Sequence, residues 1–223
     1  MEMIEYPDRE MLAMGLADAL SSALKNVLTV HDHVSFCVPG GSSPAETFAA
    51  LSGARLDWGR VHVFLNDERW VPEAHERSNT SLLKRTLLTD RAEAAVYVPL
   101  VSDAATPEEG IPDLLAGIEG ELPISVLLLG MGTDGHTASL FPGADLLKQA
   151  MAPDAPILLP MRAEVAAEPR VTLTRRVLQD AMGTHVLILG DEKRAVLAKA
   201  RKADPLEMPI AAFLKEATVH WAT

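Results

Sequence analysis

The chain contains a largely apolar run, residues 124–129, that ends abruptly in glycines. A short run of this kind is typical of a strand buried in a parallel sheet. Gly130, Gly132 and Gly135 follow it, and glycines let the backbone turn tightly and pass close to a ligand. Because ligands bind outside the carboxyl ends of strands in such sheets, this stretch predicts both an α/β fold and the position of a site.

Apolar strands and helices alternate along the rest of the chain. Leucines recur at every fourth position from 12 to 28, which predicts a helix over residues 8–28 with Asp8 as its cap. Further strands are predicted at 34–38, 61–65, 97–100, 171–174, 185–189 and 218–221. Further helices are predicted at 80–88, 113–119, 145–151, 176–182 and 209–214, and another ends near 201. Residues 102–113 are predicted to form a loop, and residues 152–169 an extended, irregular segment.

This alternation predicts a mostly parallel sheet with helices on both faces, a three-layer α/β/α fold. No linker divides the chain, so we expect one domain over residues 1–223. The net charge of −11 and the lack of a basic block argue against a nucleic-acid partner. No apolar run is long enough to span a membrane. The lone cysteine, Cys37, and the lack of a secretory signal at the N-terminus predict a cytoplasmic protein without disulfides.

The segment Pro39–Glu46 follows the predicted strand 34–38 and is rich in glycine and serine. Ser43 is predicted to cap the next helix, with Pro44 in its first position and Glu46 completing a capping box. In a strand–turn–helix unit of this form, free backbone N–H groups and the helix dipole attract a phosphate. Gly40, Gly41, Ser42 and Ser43 are therefore candidate phosphate-binding residues. An ordinary turn with capping serines is the alternative interpretation.

Three cations are predicted near strand ends. Arg69 lies in the charged stretch Asn66–Trp70, for which a solvated loop is the simpler interpretation taken alone. Arg170 borders the strand 171–174. Lys193 is placed in the first turn of a helix, where the dipole disfavours a cation and Asp191 and Glu192 offset the charge. Because a strongly acidic chain needs a local positive site to bind an anion, these cations are candidate ligands for a phosphate.

His136 is the candidate general base among seven histidines. It follows a strand end, and Asp134 is placed to fix the tautomer of its imidazole. Alternatively, Asp134 caps a helix that begins near Thr137. His31 and His33 flank Asp32, and a metal-binding pair is the less favoured interpretation there. The other four are interpreted as satisfied or solvated: His62, His75, His185 and His220. The residues thus indicate an enzyme that acts on a phosphorylated small molecule through His136, without choosing the reaction.

Five segments make the chain resemble the 6-phosphogluconolactonase family. They occur in the family's order, and the run Asp134–Pro142 is the most specific of them. The family's fold is similar to glucosamine-6-phosphate deaminases and ribose-5-phosphate isomerases, a modified Rossmann-like sheet. The matching segments are Pro39–Pro44, Asn66–Arg69 with Ser78–Asn79, Leu129–Pro142, Pro169–Thr174 and Gly190–Lys193.

The resemblance implies hydrolysis of 6-phospho-D-glucono-1,5-lactone to 6-phosphogluconate, with no metal or organic cofactor. The protein would be a monomer or weak homo-oligomer whose partner is the phosphorylated sugar lactone. His136 would activate water, Asp134 would orient it, and Arg69 would stabilise the oxyanion. Asp67 would hold Arg69 or bind sugar hydroxyls. The resemblance assigns the 6-phosphate to Gly41, Ser42, Arg170 and Lys193, with Ser43 in support.

Three alternatives remain at the level of sequence. A glucosamine-6-phosphate deaminase-like isomerase shares the Asp-Gly-His turn, but the residues Thr137–Pro142 lack the acid used there for ring opening. A non-catalytic sugar-phosphate sensor would normally carry a DNA-binding module, for which this chain has no spare length. A metal hydrolase is disfavoured because the sequence has no clustered ligand motif.

Overall fold

The computed structural model describes residues 1–223, and its strands and helices alternate as the apolar pattern indicates. The strands are β1 (Glu2–Glu5), β2 (Val34–Val38), β3 (Val61–Leu65), β4 (Asp67–Arg69), β5 (Val96–Tyr97), β6 (Val126–Gly130), β7 (Leu158–Met161), β8 (Arg170–Leu173), β9 (Thr184–Leu189) and β10 (Thr218–Ala222). The helices are α1 (Arg9–Leu28), α2 (Ala45–Ser52), α3 (Asn79–Thr86), α4 (Pro107–Glu119), α5 (Leu147–Ala150), α6 (Arg175–Gln179) and α7 (Gly190–Ala200).

The main sheet has seven strands in the order β1-β10-β9-β6-β2-β3-β5, and every pair is parallel. All five residues of β2 are buried, which requires cover on both faces of the sheet. A second sheet, in the order β4-β8-β7, is antiparallel. Since the strands of the main sheet run the same way, the loops after β2, β3, β6 and β9 all emerge at one edge.

Helix α1 covers part of the main sheet through its leucine stripe. Asp8 caps it by accepting the backbone N–H of Met11 at 2.8 Å, as predicted. Leu12, Leu16 and Leu20 are at most 2% exposed, and α1 packs against α2 and the sheet. These residues belong to one contiguous cluster of 55 buried hydrophobic residues. None of the helices combines the length and the apolar composition that crossing a membrane requires.

The long apolar strands are predicted most accurately. Strands 34–38 and 61–65 have the observed bounds, and the other predicted strands exist with ends displaced by at most three residues. Three short strands were not predicted, namely β1, β4 and β7. The predicted irregular segment 152–169 is therefore wrong where β7 pairs with β8.

The prediction of a loop over residues 102–113 is wrong, because helix α4 begins at Pro107. Thr106 caps it by accepting the backbone N–H of Glu109 at 3.3 Å. Pro107 occupies the first position, where the missing N–H has no intrahelical partner. Pro112 lies inside the helix. Proline and glycine both disfavour a helix interior, so Pro112 and Gly110 argue against the helix start that Thr106 and Pro107 indicate.

Two predicted caps are also wrong. Helix α2 begins at Ala45 after Pro44, which has helical dihedral angles, so Ser43 lies one residue outside the cap and forms no capping box with Glu46. Thr137 does not begin a helix, because residues 137–140 form a tight turn closed by a bridge between Thr137 and Leu140. Asp134 instead accepts the backbone N–H of His136 within the turn.

A partly buried chain of hydrogen bonds joins β10 to its two neighbours in the main sheet. The Tyr6 hydroxyl lies 2.9 Å from Nδ1 of His220, and Nε2 of His220 lies 3.0 Å from Nδ1 of His185. This order satisfies two neutral imidazoles. Burial is the larger of two effects that lower the pKa of His220 to about 4, and repulsion from the neighbouring His185 is the smaller. The folded state therefore takes up this proton less readily than the unfolded chain.

We expect the free energy of unfolding to fall as the pH falls from about 6.5 to 4. The unfolded state binds the His220 proton at higher pH than the folded state, so this contribution is complete above the unfolded pKa and is lost below it. The loss should approach about 3 kcal/mol at pH 4. Urea unfolding of the wild type and of His220→Gln across this pH range measures it. Equal pH slopes in the two proteins would contradict the assignment, and His75→Gln, at an exposed position, is the control.

Candidate active site

One cavity lies where the loops after β2, β3, β6 and β9 converge. Its wall is mainly polar. Loops of the main sheet supply one side, and the second sheet supplies two arginines. The predicted site residues in the wall are Gly40, Gly41, Ser43, Asp67, Arg69, His136, Arg170 and Lys193. Eight of the ten candidate residues from the sequence therefore line the same cavity.

The two remaining candidates lie outside the cavity wall. The side chain of Ser42 is exposed, while its neighbours Gly41 and Ser43 line the cavity. Gly41 has a φ of +80°, which only glycine adopts without strain, and this turns the chain toward the cavity. Asp134 lies behind the His136 imidazole and contacts it directly.

The His136 imidazole is held on two sides. Asp134 Oδ1 accepts the backbone N–H of His136 at 3.0 Å and lies 2.6 Å from Nδ1 of the ring. The ring packs on Phe141 with centroids 4.4 Å apart. Gly132 permits this geometry, because a Cβ there would lie 2.2 Å from Nδ1 of His136. The turn therefore fixes the direction of Nε2 before any ligand binds.

The ionisation of Asp134 fixes the tautomer of the ring. Burial acts to raise the pKa of Asp134, but the backbone N–H and the charge of His136 outweigh it, so the pKa is lowered. An ionised carboxylate only accepts hydrogen bonds, so Nδ1 must carry the proton. In the neutral ring, the lone pair is then on Nε2.

Arg69 and Arg170 are directly opposite each other on strands β4 and β8. Like charges in this position repel, and an anion between them relieves the repulsion. The Nε atoms of both guanidinium groups are buried and have no hydrogen-bond partner within the protein. Burial lowers the pKa of Arg170 and of Lys193, which lies across the cavity wall. The three cations thus form a partly desolvated anion site.

Asp67 does not hold Arg69 as one expectation had it. Its Oδ2 lies 3.5 Å from a terminal nitrogen of Arg170 and accepts the Ser139 hydroxyl at 2.5 Å. Arg69 instead donates to the backbone carbonyl of Arg77 at 2.5 Å. The antiparallel register pairs Asp67 with Thr172, so Arg170 is its diagonal neighbour on the same face of β8.

The interpretation of Asn66–Trp70 as a solvated loop is wrong. Glu68 is fully buried and accepts the backbone N–H groups of Asn79 at 2.8 Å and Thr80 at 2.6 Å. Burial raises the pKa of Glu68 although these hydrogen bonds oppose the shift. This carboxylate joins the start of α3 to β4 and so supports the backbone that carries Arg69.

Sequence reasoning missed several residues of the wall, among them Asn66, Asn79 and Thr137. The Nδ2 group of Asn79 donates to the backbone carbonyl of Asp67 at 3.1 Å. Its amide also packs over Gly40, where a Cβ would lie 2.0 Å from it. The pair Ser78–Asn79 carries a signal in the sequence, because it belongs to one of the segments that match the family.

The fold and the cavity define an α/β protein in which a histidine and three cationic side chains face one cavity at the carboxyl edge of a parallel sheet. The model of the family described as glucosamine-6-phosphate isomerases/6-phosphogluconolactonase matches residues 7–221. The chain belongs to this family, and the resemblance found in the sequence is confirmed.

Named relatives match over almost the whole chain. A 6-phosphogluconolactonase from Rhizobium meliloti (strain 1021) is 42% identical over 230 residues, covering 100% of this chain and 98% of the relative. One from Pseudomonas aeruginosa is 42% identical over 213 residues, covering 94% and 90%. The crystal structure of a 6-phosphogluconolactonase from Shewanella baltica OS155 has a TM-score of 0.95 at 30% identity, covering 100% of this chain and 97% of that one. The predicted fold class is therefore confirmed.

We expect the neutral His136 ring to carry its proton on Nδ1. The ring-nitrogen ¹⁵N chemical shifts at a pH where His136 is neutral measure this, and His136→Gln assigns the signals. In Asp134→Ala the carboxylate acceptor is lost, so the population should move toward the Nε2–H form. An Nε2–H tautomer in the wild type would contradict the assignment.

Proposed function

We propose that this chain hydrolyses 6-phospho-D-glucono-1,5-lactone to 6-phospho-D-gluconate, a step of the oxidative pentose phosphate pathway. The observation that carries the proposal is His136, oriented by Asp134, facing a cavity with three cations. The names of the full-length relatives support the choice of substrate. The cations suit the phosphate of this lactone, and the histidine suits a reaction that begins with deprotonation of water.

His136 acts as the base and then as the acid. Nε2 accepts a proton from water while the water oxygen attacks C1 of the lactone, and the carbonyl oxygen becomes an oxyanion. Arg69 stabilises this oxyanion. The bond between C1 and the ring oxygen then breaks, and His136 returns the proton to that oxygen. The carboxylic acid so formed ionises to the gluconate.

The 6-phosphate binds beside the glycine-rich loop in this proposal. Gly40 and Gly41 offer backbone N–H groups before α2, and Ser43 supports them. Ser42 contributes through its backbone, because its side chain is exposed. The phosphate is neutralised by Arg170 from β8 and by Lys193 from the first turn of α7. Asp67 holds Arg170 and binds sugar hydroxyls.

The remaining expectations stay proposals. One domain over residues 1–223 is supported by the contiguous core. We propose that the protein is a monomer or weak homo-oligomer and that it is cytoplasmic. We also propose that the reaction needs no metal or organic cofactor.

The family also includes glucosamine-6-phosphate isomerases. Asp67 is the one carboxylate in the cavity wall, and it is engaged by Ser139 and Arg170. The deaminase-like alternative needs a further acid for ring opening, which the segment Thr137–Pro142 does not supply. This supports lactone hydrolysis over the deaminase alternative.

We expect His136→Ala to lower kcat by about 10²- to 10⁴-fold with little change in KM, because the variant loses the base but keeps the phosphate site. A rapid assay on freshly generated 6-phosphogluconolactone, with spontaneous opening subtracted, measures the effect. His31→Ala, exposed at the other edge of the sheet, should behave like the wild type. A variant of His136 that keeps most of the wild-type kcat would refute its role.

We expect Lys193→Met and Arg170→Ala each to raise KM for the phosphorylated lactone by about 10- to 100-fold, the value of a charged hydrogen bond. Rates with unphosphorylated glucono-1,5-lactone should change little, since that substrate lacks the phosphate. Lys199→Met, on the exposed part of α7, is the matched control. An equal loss with both substrates, or a loss of kcat alone, would argue against phosphate binding by these residues.

A further inference from the structure

Three side chains with metal-binding atoms meet at the amino edge of the main sheet, opposite the cavity. His33 directly precedes β2, His62 is the second residue of β3, and Glu121 lies between α4 and β6. The register pairs Val34 with Val61, so the starts of β2 and β3 are adjacent. The strands are five residues long, which places this cluster about 16 Å from the carboxyl edge.

The ligand atoms of the three side chains already lie close together. Nδ1 of His62 is 2.8 Å from Oε1 of Glu121, and Nε2 of His33 is 3.7 Å from Oε2 of Glu121. The two imidazole rings stack with centroids 4.5 Å apart. One ligand atom from each side chain lies within 4.8 Å of the others, against about 3.3 Å between ligands around tetrahedral zinc. A shift of the side chains by about an ångström would bring the three ligand atoms to the spacing that zinc requires.

Glu121 provides an independent reason to expect a ligand. Its side chain is 9% exposed, and its buried Oε2 atom has no hydrogen-bond partner within the protein. A buried carboxylate oxygen without a donor is costly, and a cation beside it removes that cost. His33 does not supply the donor, because its nearest nitrogen is beyond hydrogen-bond distance. The unpartnered oxygen is on the side of Glu121 that His33 approaches.

The backbone before His33 is held in place, while the side chain of His33 is free to adjust. Arg60 donates through Nε to the carbonyl of Asp32 at 2.7 Å and through a terminal nitrogen to that of His31 at 2.7 Å. These bonds tie the turn before His33 to the start of β3. The His33 side chain is 45% exposed, so its ring can move toward Glu121 without disturbing the core.

We propose that His33, His62 and Glu121 bind one divalent transition-metal ion of the Zn²⁺ class. Two imidazoles and one carboxylate are a ligand set that such ions take, with a fourth position left for water. The ion joins the starts of β2 and β3 to the loop before β6, so its effect is on stability. His33 therefore belongs to a metal site, but its partner is His62 rather than the neighbouring His31.

Titration of chelator-treated, dialysed protein with Zn²⁺ in a calorimeter tests the proposal. We expect one site per chain, a higher thermal unfolding midpoint with Zn²⁺, and visible absorption from Co²⁺ in the same site. Mg²⁺ should produce none of these effects. His33→Gln removes a ligand at an exposed position and should weaken Zn²⁺ binding by about 10- to 100-fold or more. Glu121→Gln keeps the shape of the side chain and should do the same.

Two control variants separate this site from other histidines. His31→Gln changes the same loop outside the cluster, and His136→Gln removes the histidine of the cavity; both should keep the site. Loss of Zn²⁺ binding in either control would overturn the proposal, because the ion would then lie elsewhere. Unchanged affinity in His33→Gln, or no Zn²⁺ binding by the wild type, would also overturn it.

Discussion

The buried carboxylate of Asp67 joins the three parts of the molecule on which the cavity depends. It accepts the Ser139 hydroxyl from the loop after β6, and it lies beside Arg170 of β8. Asp67 itself begins β4, directly after the loop of β3. Without this contact, the antiparallel sheet that carries Arg69 and Arg170 would have one polar anchor fewer on the main sheet. A buried pair of this kind contributes position more than stability, since desolvation offsets most of the attraction.

This constraint explains how an acidic chain maintains a cationic cavity. The net charge is −11, so the average field repels anions. The cations that face the cavity come from elements far apart in sequence, Arg69, Arg170 and Lys193. Partial burial removes the water that would screen them, so their attraction for a phosphate is stronger than that of surface cations. A few desolvated charges therefore determine the electrostatic potential in the cavity, whatever the sign of the net charge of the chain.

The sequence predicts the main sheet well because its strands are buried on both faces. Strands 34–38 and 61–65 are apolar except for Ser35 and His62, and this pattern makes their bounds visible. The strand β4 has the sequence Asp-Glu-Arg and so shows no apolar pattern. Its two carboxylates can be buried because they have partners, Arg170 of β8 for Asp67 and the start of α3 for Glu68. Such pairing depends on contacts distant in sequence, which local periodicity does not encode. The first half of α4, residues 107–112, is not predicted for the opposite reason, because its local signals conflict.

The candidate site shows the same contrast between features that local sequence encodes and pairings that depend on distant contacts. The rule that loops gather at the carboxyl edge brings His136, Lys193 and the glycine-rich loop together, because it depends only on strand direction. The partners of those residues depend on register, so the pairing of Asp67 with Arg170 could not be predicted. The residues after His136 illustrate this best. The Thr137 hydroxyl donates to the Gly130 carbonyl at 2.7 Å, and Ser139 reaches Asp67. These hydroxyls hold the turn that aims the imidazole, so the most specific stretch of the sequence is specific for structural reasons as well as chemical ones.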